Sequence, residues 1–168
     1  MIPLGMRAMG WSLHGLALAT ILAISTAAAG ERINKDADDL AILGYDTVAY
    51  FTDERPVKGS PDFEYVWQDA RWQFASAEHK ALFATDPDRY APQFGGFCTG
   101  GVGLGRLVPI DPEAWVIVDG RLYLHYDKEA RDDTAAAPEP RIAAAAERWE
   151  ALGKTPDVVH NFRAANPQ

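Results

Sequence analysis

Alternating apolar and polar residues mark the middle of the chain. Phe63 to Trp67 alternates in this way, and the alternation resumes from Arg71 to Ala75 after Gln68-Asp69-Ala70. A period of two residues is typical of half-buried strands, and aromatic residues favour cross-strand pairs. These two stretches therefore predict a β-hairpin.

A second hairpin is predicted around Asp119-Gly120. The residues before it, Trp115 to Val118, are apolar, and Arg121 to Tyr126 forms the return segment. Asp-Gly is among the strongest hairpin signals, because both residues tolerate the positive φ angles of a tight turn.

Short helices are predicted beside these hairpins. Ser76 is placed as the N-cap of a helix from Ala77 to about Ala84, and Asp86-Pro87 opens a short turn that ends at Tyr90. Asp46 is placed as the cap of a short buried turn from Val48 to Phe51.

The C-terminal part predicts a connection followed by one amphipathic helix. Arg131 to Pro140 is alanine-rich with two prolines and is interpreted as a connection, and Arg141 to Leu152 is the helix. Its apolar face comprises Ile142, Ala145, Ala146, Trp149 and Leu152. Short hairpins mixed with short helices predict a small single α+β domain.

Four segments follow from these patterns. Residues 1–29 have a basic Arg7, an apolar run and a small-residue end, which indicate an export signal peptide. The alternative is an uncleaved membrane anchor, but the strongly apolar core of about ten residues is shorter than the roughly 18–20 needed to span a bilayer. Residues 30–41 are polar and predict a flexible leader, residues 42–153 form the domain with its C-terminal helix, and residues 154–168 form a tail. A signal peptide implies a periplasmic or secreted protein.

Charge and cysteine content narrow the possible partners. The net charge is −8 and no cluster of Lys and Arg occurs, which argues against nucleic acid and against membranes beyond the signal peptide. The single cysteine, Cys98, cannot form an intramolecular disulfide. The fold must therefore be held by packing.

Cys98 lies in the most distinctive stretch of the chain, Tyr90 to Gly105, which holds six of the 14 glycines. The glycines do not have the spacing of a nucleotide-binding loop. We place Cys98 in a loop and predict a ligand-binding or redox site formed by Cys98 with Gly95, Gly96 and Phe97. The many aromatic residues build the core, and some of them are expected to line a pocket beside Cys98.

Several linked motifs resemble one family. They are Gly44-Tyr45-Asp46-Thr47-Val48-Ala49-Tyr50-Phe51, Val57-Lys58-Gly59-Ser60-Pro61, Phe74-Ala75-Ser76-Ala77-Glu78, Asp86 to Cys98, and Asp111-Pro112-Glu113-Ala114-Trp115. From about Leu43 to Tyr126 the chain resembles the exported YHS-domain proteins of bacteria. The resemblance implies a small domain associated with metal binding.

The metal ligands implied by the resemblance are mostly missing. Where metal-associated members have cysteines, this chain has Ala49, Ala75 and His79. The remaining candidate ligands are Cys98 with His79 and His125, although His79 is otherwise expected to be exposed and His125 to occupy a surface strand position. A soft transition metal requires several such ligands to converge.

Three hypotheses stay open. The first is a binding module for a transition metal such as Cu(I) or Zn(II), or for a metal-bearing ligand, centred on Cys98. The second is a thiol redox protein or sensor that uses Cys98 with a partner protein in the periplasm. The third is a non-catalytic interaction domain in which Cys98 is structural. No enzymatic reaction is indicated by the sequence.

Overall fold

A computed structural model describes residues 32–152. The helices are α1 (Ala49–Thr52), α2 (Ala77–Thr85), α3 (Pro87–Tyr90), α4 (Thr99–Gly103), α5 (Lys128–Ala136) and α6 (Pro138–Leu152). The strands are β1 (Ser60–Trp67), β2 (Ala70–Phe74), β3 (Asp111–Val118) and β4 (Arg121–His125), and 3₁₀ turns occur at Ile42–Gly44 and Gln93–Gly96. The predicted α+β class is confirmed.

Both predicted hairpins form, as two separate two-stranded antiparallel sheets. In the first, Trp67 pairs with Ala70, and the intervening Gln68 and Asp69 have φ angles of 50° and 54°. In the second, Asp119 and Gly120 have φ angles of 51° and 72°. Positive φ at both central residues matches the twist of the strands and closes each hairpin tightly.

The predicted helix caps are also present. The Ser76 side chain accepts a hydrogen bond from the His79 backbone N–H at the start of α2, and the Asp86 side chain accepts one from the Arg89 N–H at the start of α3. Pro87 occupies the first turn of α3, where its missing N–H costs no helical hydrogen bond.

The core has two parts. The main cluster joins the first hairpin to α2 and β4, and its largest fully buried side chains are Trp72, Tyr50, Phe74 and Phe83. A smaller cluster lies between α4 and α6, where Phe94 and Trp149 pack against buried apolar residues; these are Phe97, Val102, Leu107, Ala145 and Leu152.

The connection expected at residues 131–140 is instead helical, and this part of the prediction is wrong. The Asp127 side chain caps α5 by accepting a hydrogen bond from the Ala130 N–H. Pro138 starts α6, so the prolines fall in a first turn and do not interrupt a helix. Alanine has the highest helix propensity, and here it extends both helices through the segment.

Residues 32–41, which the sequence analysis assigned to a flexible leader, are packed on the domain. The Asn34 N–H donates to the Gly95 carbonyl at 2.8 Å, and its side-chain amide donates to the Gly96 carbonyl at 3.0 Å. The Ala41 N–H donates to the Arg71 carbonyl on β2 at 2.9 Å. These long-range bonds give the segment a fixed position.

The predicted signal peptide (1–29) and tail (154–168) lie outside the described residues. Within residues 32–152, no helix has both the length and the apolar character needed to cross a membrane.

Candidate functional site

Cys98 lies in a loop, as predicted, at the residue directly before α4. Its backbone N–H donates to the Val108 carbonyl at 3.1 Å, and its carbonyl accepts from the Val102 N–H at 2.9 Å. α4 contains three glycines, and one of them, Gly101, allows its backbone to pass close to the segment that follows the helix. A Cβ on Gly101, for example, would stand 2.6 Å from a side-chain methyl of Val108.

The Cys98 side chain belongs to the main core. The residue is only 3% exposed and is grouped with Ile42, Ile110, Leu122 and Leu124. A thiol in an apolar core behaves as a small apolar group, and little of it is available to a ligand or an oxidant.

Gly95 and Gly96 are explained by packing as well. Their φ angles are +60° and +77°, and a Cβ on Gly95 would overlap the Arg32 carbonyl oxygen, while one on Gly96 would overlap the Ile42 side chain. Phe97 is 4% exposed in the smaller cluster, with its ring centroid 6.4 Å from that of Trp149. These residues hold residues 32–42 and α6 in place.

His79 is held by a buried carboxylate that the sequence analysis considered only as a helix cap. Asp46 is 0% exposed. As expected of a cap, its Oδ1 accepts hydrogen bonds from the Val48 and Ala49 N–H groups. Its Oδ2 accepts from the Ala75 N–H at 2.8 Å and lies 2.7 Å from His79 Nδ1.

The other nitrogen of His79 faces the surface at the end of α1. Nε2 lies 3.2 Å from Thr52 Oγ1 and 3.7 Å from Asp53 Oδ1, and the side chain is 14% exposed. The expected exposed position for His79 is therefore wrong. The contacts link α1, the β2–α2 junction and α2.

His125 is fully buried, so the expected surface position is also wrong. Neither ring nitrogen has a hydrogen-bond partner of good geometry within the described residues. Burial lowers the pKa of His125 to about 4, and the nearby Ala114 backbone offsets only part of this effect. The imidazole is accordingly neutral near pH 7.

Of the three candidate metal ligands, Cys98 directly precedes α4, His79 lies on α2 and His125 on β4. Among residues 32–152, no group of three or more His, Cys, Asp or Glu side chains is arranged to hold a metal ion. Cys98, His79 and His125 are thus not brought together as a ligand set.

A cleft of about 240 Å³ lies where four separate segments of the chain meet, and neither Cys98, His79 nor His125 lines it. Its aromatic lining comes from Trp67, at the end of β1, and from Phe94. Arg121, the first residue of β4, also lines the cleft. The remaining lining is contributed by Ile33, Asp88, Ala91, Pro92, Gln93 and Gly95.

The cleft carries charges of both signs. The Arg121 guanidinium donates from Nη1 to the Gln93 side-chain oxygen at 3.2 Å, and within the described residues it forms no ion pair with a carboxylate. Asp88, on α3, is exposed and also has no ion-pair partner there. Two charged side chains of opposite sign, without ion-pair partners in the described residues, therefore line the cleft together with aromatic side chains.

The backbone at this cleft is unusual. Phe94 has a φ of 54°, in the left-handed region that aromatic residues rarely adopt. Its ring contacts Tyr123 and Trp149, with centroid distances of 6.0 and 5.9 Å. Strained residues of this kind cluster at functional sites, where the surrounding packing holds them in place.

No family model, no curated protein and no solved structure matches the chain. The resemblance to exported YHS-domain proteins therefore stays a prediction from the motifs. The fold and the site define a small α+β domain with a mixed aromatic and charged cleft.

Proposed function

We propose that the chain is a non-catalytic binding domain that takes a small organic ligand in the cleft, with Cys98 as a structural residue of the core. The observation that carries this proposal is the cleft itself, where Trp67, Phe94 and Arg121 combine aromatic surface with a guanidinium that forms no ion pair in the described residues. Ligand sites typically combine an apolar lining with a few polar groups that fix orientation.

The walls of the cleft are held before any ligand arrives, which supports the proposal. Ala91 and Pro92 are buried, the Gly95 backbone is hydrogen-bonded to Asn34, and Phe94 packs against Tyr123 and Trp149. A preformed site loses little conformational entropy on binding, so even a small contact area can give measurable affinity.

The other two hypotheses have less support. A metal site centred on Cys98 does not fit the donor set, because the thiol is buried in the apolar core, His79 contacts Asp46, and His125 is fully buried. A structural metal site uses three or four converging ligands. A redox role requires an accessible thiolate, and the burial of Cys98 opposes it.

We further propose that the protein is exported, to the periplasm or beyond, and that it belongs with the exported YHS-domain proteins. The support for both proposals is in the sequence: the apolar N-terminal run with its small-residue end, and the linked motifs from Leu43 to Tyr126.

Screening the isotope-labelled full chain with a library of small organic molecules by NMR tests the binding function. We expect hits to shift the backbone signals of Phe94, Gly95 and Arg121, and Phe94→Leu to weaken those hits. Val66→Ala is the matched control, because Val66 is 65% exposed beside Trp67 and does not line the cleft. Absence of any hit, or shifts that cluster elsewhere, would overturn the proposal.

A further inference from the structure

We infer that the ligand of the cleft is a small zwitterion, a molecule that carries a carboxylate and an ammonium group on an apolar body. This inference rests on the proposed binding function and adds the chemical class of the ligand. It is carried by two opposite charges, Arg121 and Asp88, that line one cleft without pairing to each other or to another charged side chain in the described residues.

Arg121 supplies the group that recognises a carboxylate. A guanidinium has five N–H donors, and the structure uses one nitrogen, Nη1, for the Gln93 amide oxygen. The Asp119-Gly120 turn places Arg121 at the start of β4, so its backbone position is fixed by the hairpin. Gln93 in turn orients the guanidinium at the edge of the cleft, ready for a charge-assisted hydrogen bond.

Asp88 supplies the complementary group for an ammonium. It lies on α3, whose start is fixed by the Asp86 cap and by Pro87. A second negative charge on the ligand would be repelled by Asp88, and a second positive charge by Arg121, because both residues line the same small cleft. A molecule with one charge of each sign satisfies both.

The uncharged lining determines the rest of the ligand. Trp67 and Phe94 offer aromatic surface, and Ile33, Ala91 and Pro92 are apolar. A cleft of about 240 Å³ lies below the roughly 300–1,000 Å³ typical of drug-sized sites, so it suits a single small molecule and not an extended peptide. Amino acids with an apolar or aromatic side chain are the simplest molecules with these properties.

Calorimetric titration of the full chain with three related compounds tests the inference. They are L-phenylalanine, 3-phenylpropionate, which lacks the ammonium group, and 2-phenylethylamine, which lacks the carboxylate. We expect L-phenylalanine to bind about 10-fold more tightly than either analogue, the ratio typical of one lost hydrogen bond to a charged group.

Charge-removing variants assign each preference to a side chain. Arg121→Gln should abolish the preference for L-phenylalanine over 2-phenylethylamine. Asp88→Asn should abolish its preference over 3-phenylpropionate. Arg106→Gln and Asp62→Asn are matched controls, because both positions are exposed and neither lines the cleft. The melting temperature of each variant shows whether it is folded.

The possible failures are distinguishable. If an analogue binds as tightly as L-phenylalanine, or if the variants weaken all three compounds equally, the zwitterion inference is wrong while the binding function stands. If none of the three binds but other library molecules occupy the cleft, the inference is again overturned. If no molecule of any class perturbs the cleft, both proposals fail.

Discussion

At the scale of single residues, the environment of Cys98 predicts that its thiol is alkylated slowly. The residue is 3% exposed within the apolar core, so an alkylating reagent reaches it only when the domain opens. We expect labelling of the folded protein to be far slower than labelling in denaturant. We also expect Cys98→Ala to lower the free energy of unfolding by about 1–2 kcal/mol, as for a small cavity.

A reference thiol calibrates the Cys98 experiment. Ala143 is exposed on α6, so Ala143→Cys in a Cys98→Ala background provides an accessible cysteine on the same fold. If native Cys98 is alkylated as fast as this reference cysteine, the structural assignment of Cys98 is wrong and the redox hypothesis regains support.

His125 predicts a loss of stability in mild acid. Burial lowers its pKa to about 4 in the folded protein, against about 6.5 in an unfolded chain. Between these values the unfolded state binds a proton that the folded state does not, so stability falls as the pH is lowered from about 6.5 to about 4. Each pH unit in this range lowers the free energy of unfolding by about 1.4 kcal/mol, so the total loss is on the order of 3 kcal/mol.

Urea denaturation at a series of pH values measures this effect. His125→Leu removes the titrating group and leaves no unpaired ring nitrogen in the core, so its stability should be flatter between pH 6.5 and 4. An equally steep decline in the wild type and in His125→Leu would show that other groups cause the acid sensitivity.

At the scale of elements, residues 32–42 pack closely against Gly95. This packing predicts that alanine lowers the stability more at Gly95 than at Gly105. Gly95 and Gly105 have φ angles of +60° and +74°, so alanine is strained at both, by about 1–2 kcal/mol. A Cβ on Gly95 also overlaps the Arg32 carbonyl, while a Cβ on Gly105 meets nothing within 4 Å. We expect Gly95→Ala to cost about 3 kcal/mol and Gly105→Ala about 1 kcal/mol.

Hydrogen exchange locates the damage in the Gly95→Ala variant. The Asn34 N–H donates to the Gly95 carbonyl, so its amide should exchange faster in Gly95→Ala and at the wild-type rate in Gly105→Ala. Equal costs for the two variants would mean that residues 32–42 do not depend on close approach at Gly95.

Elements defined by neighbouring residues were predictable from the sequence. Both hairpins and the starts of α2 and α3 depend on turn and cap residues within a few positions, such as Asp119-Gly120 and Ser76. The position of residues 32–41 depends on the Gly95 carbonyl and on Arg71 in β2, and no local pattern reveals those contacts. The end of α5 and the start of α6 within residues 131–140 were not predicted, because two prolines favour a connection, although Pro138 occupies the first turn of α6.

The candidate site was less predictable than the fold. A lone cysteine among glycines predicts a site at Cys98, but the burial of this residue depends on core residues from across the whole domain. The cleft is built from Trp67, Asp88 to Gly95 and Arg121, which are separated along the chain and carry no shared motif. Asp46 and His79 likewise meet only because the fold brings two motifs together.

At the scale of the whole molecule, Phe94 connects the cleft to the smaller core cluster. It lines the cleft and packs on Trp149 of α6, while Tyr123 of β4 contacts its ring from another element. The C-terminal helix is therefore part of the support of the site, even though no residue of α6 lines the cleft.

This connection predicts that a change on α6 weakens ligand binding at a distance. Trp149→Ala removes the ring against which Phe94 packs, so Phe94 gains rotamer freedom that a ligand must then restrict. We expect affinity for a cleft ligand to fall about 2- to 10-fold, the effect of immobilising one side chain, and stability to fall by about 2 kcal/mol. Titration of the folded variant with a cleft-binding compound measures the first effect, and urea denaturation measures the second.

Leu152→Ala separates the support of Phe94 from a general loss of stability. It shortens a buried side chain at the end of the same helix, in the same cluster, and leaves the Trp149 ring against Phe94. It should lower stability by about 2–3 kcal/mol while affinity stays at the wild-type value. If both variants weaken binding in proportion to their instability, α6 acts only through global stability. If Trp149→Ala alone weakens binding, the packing of α6 on Phe94 determines the shape of the cleft.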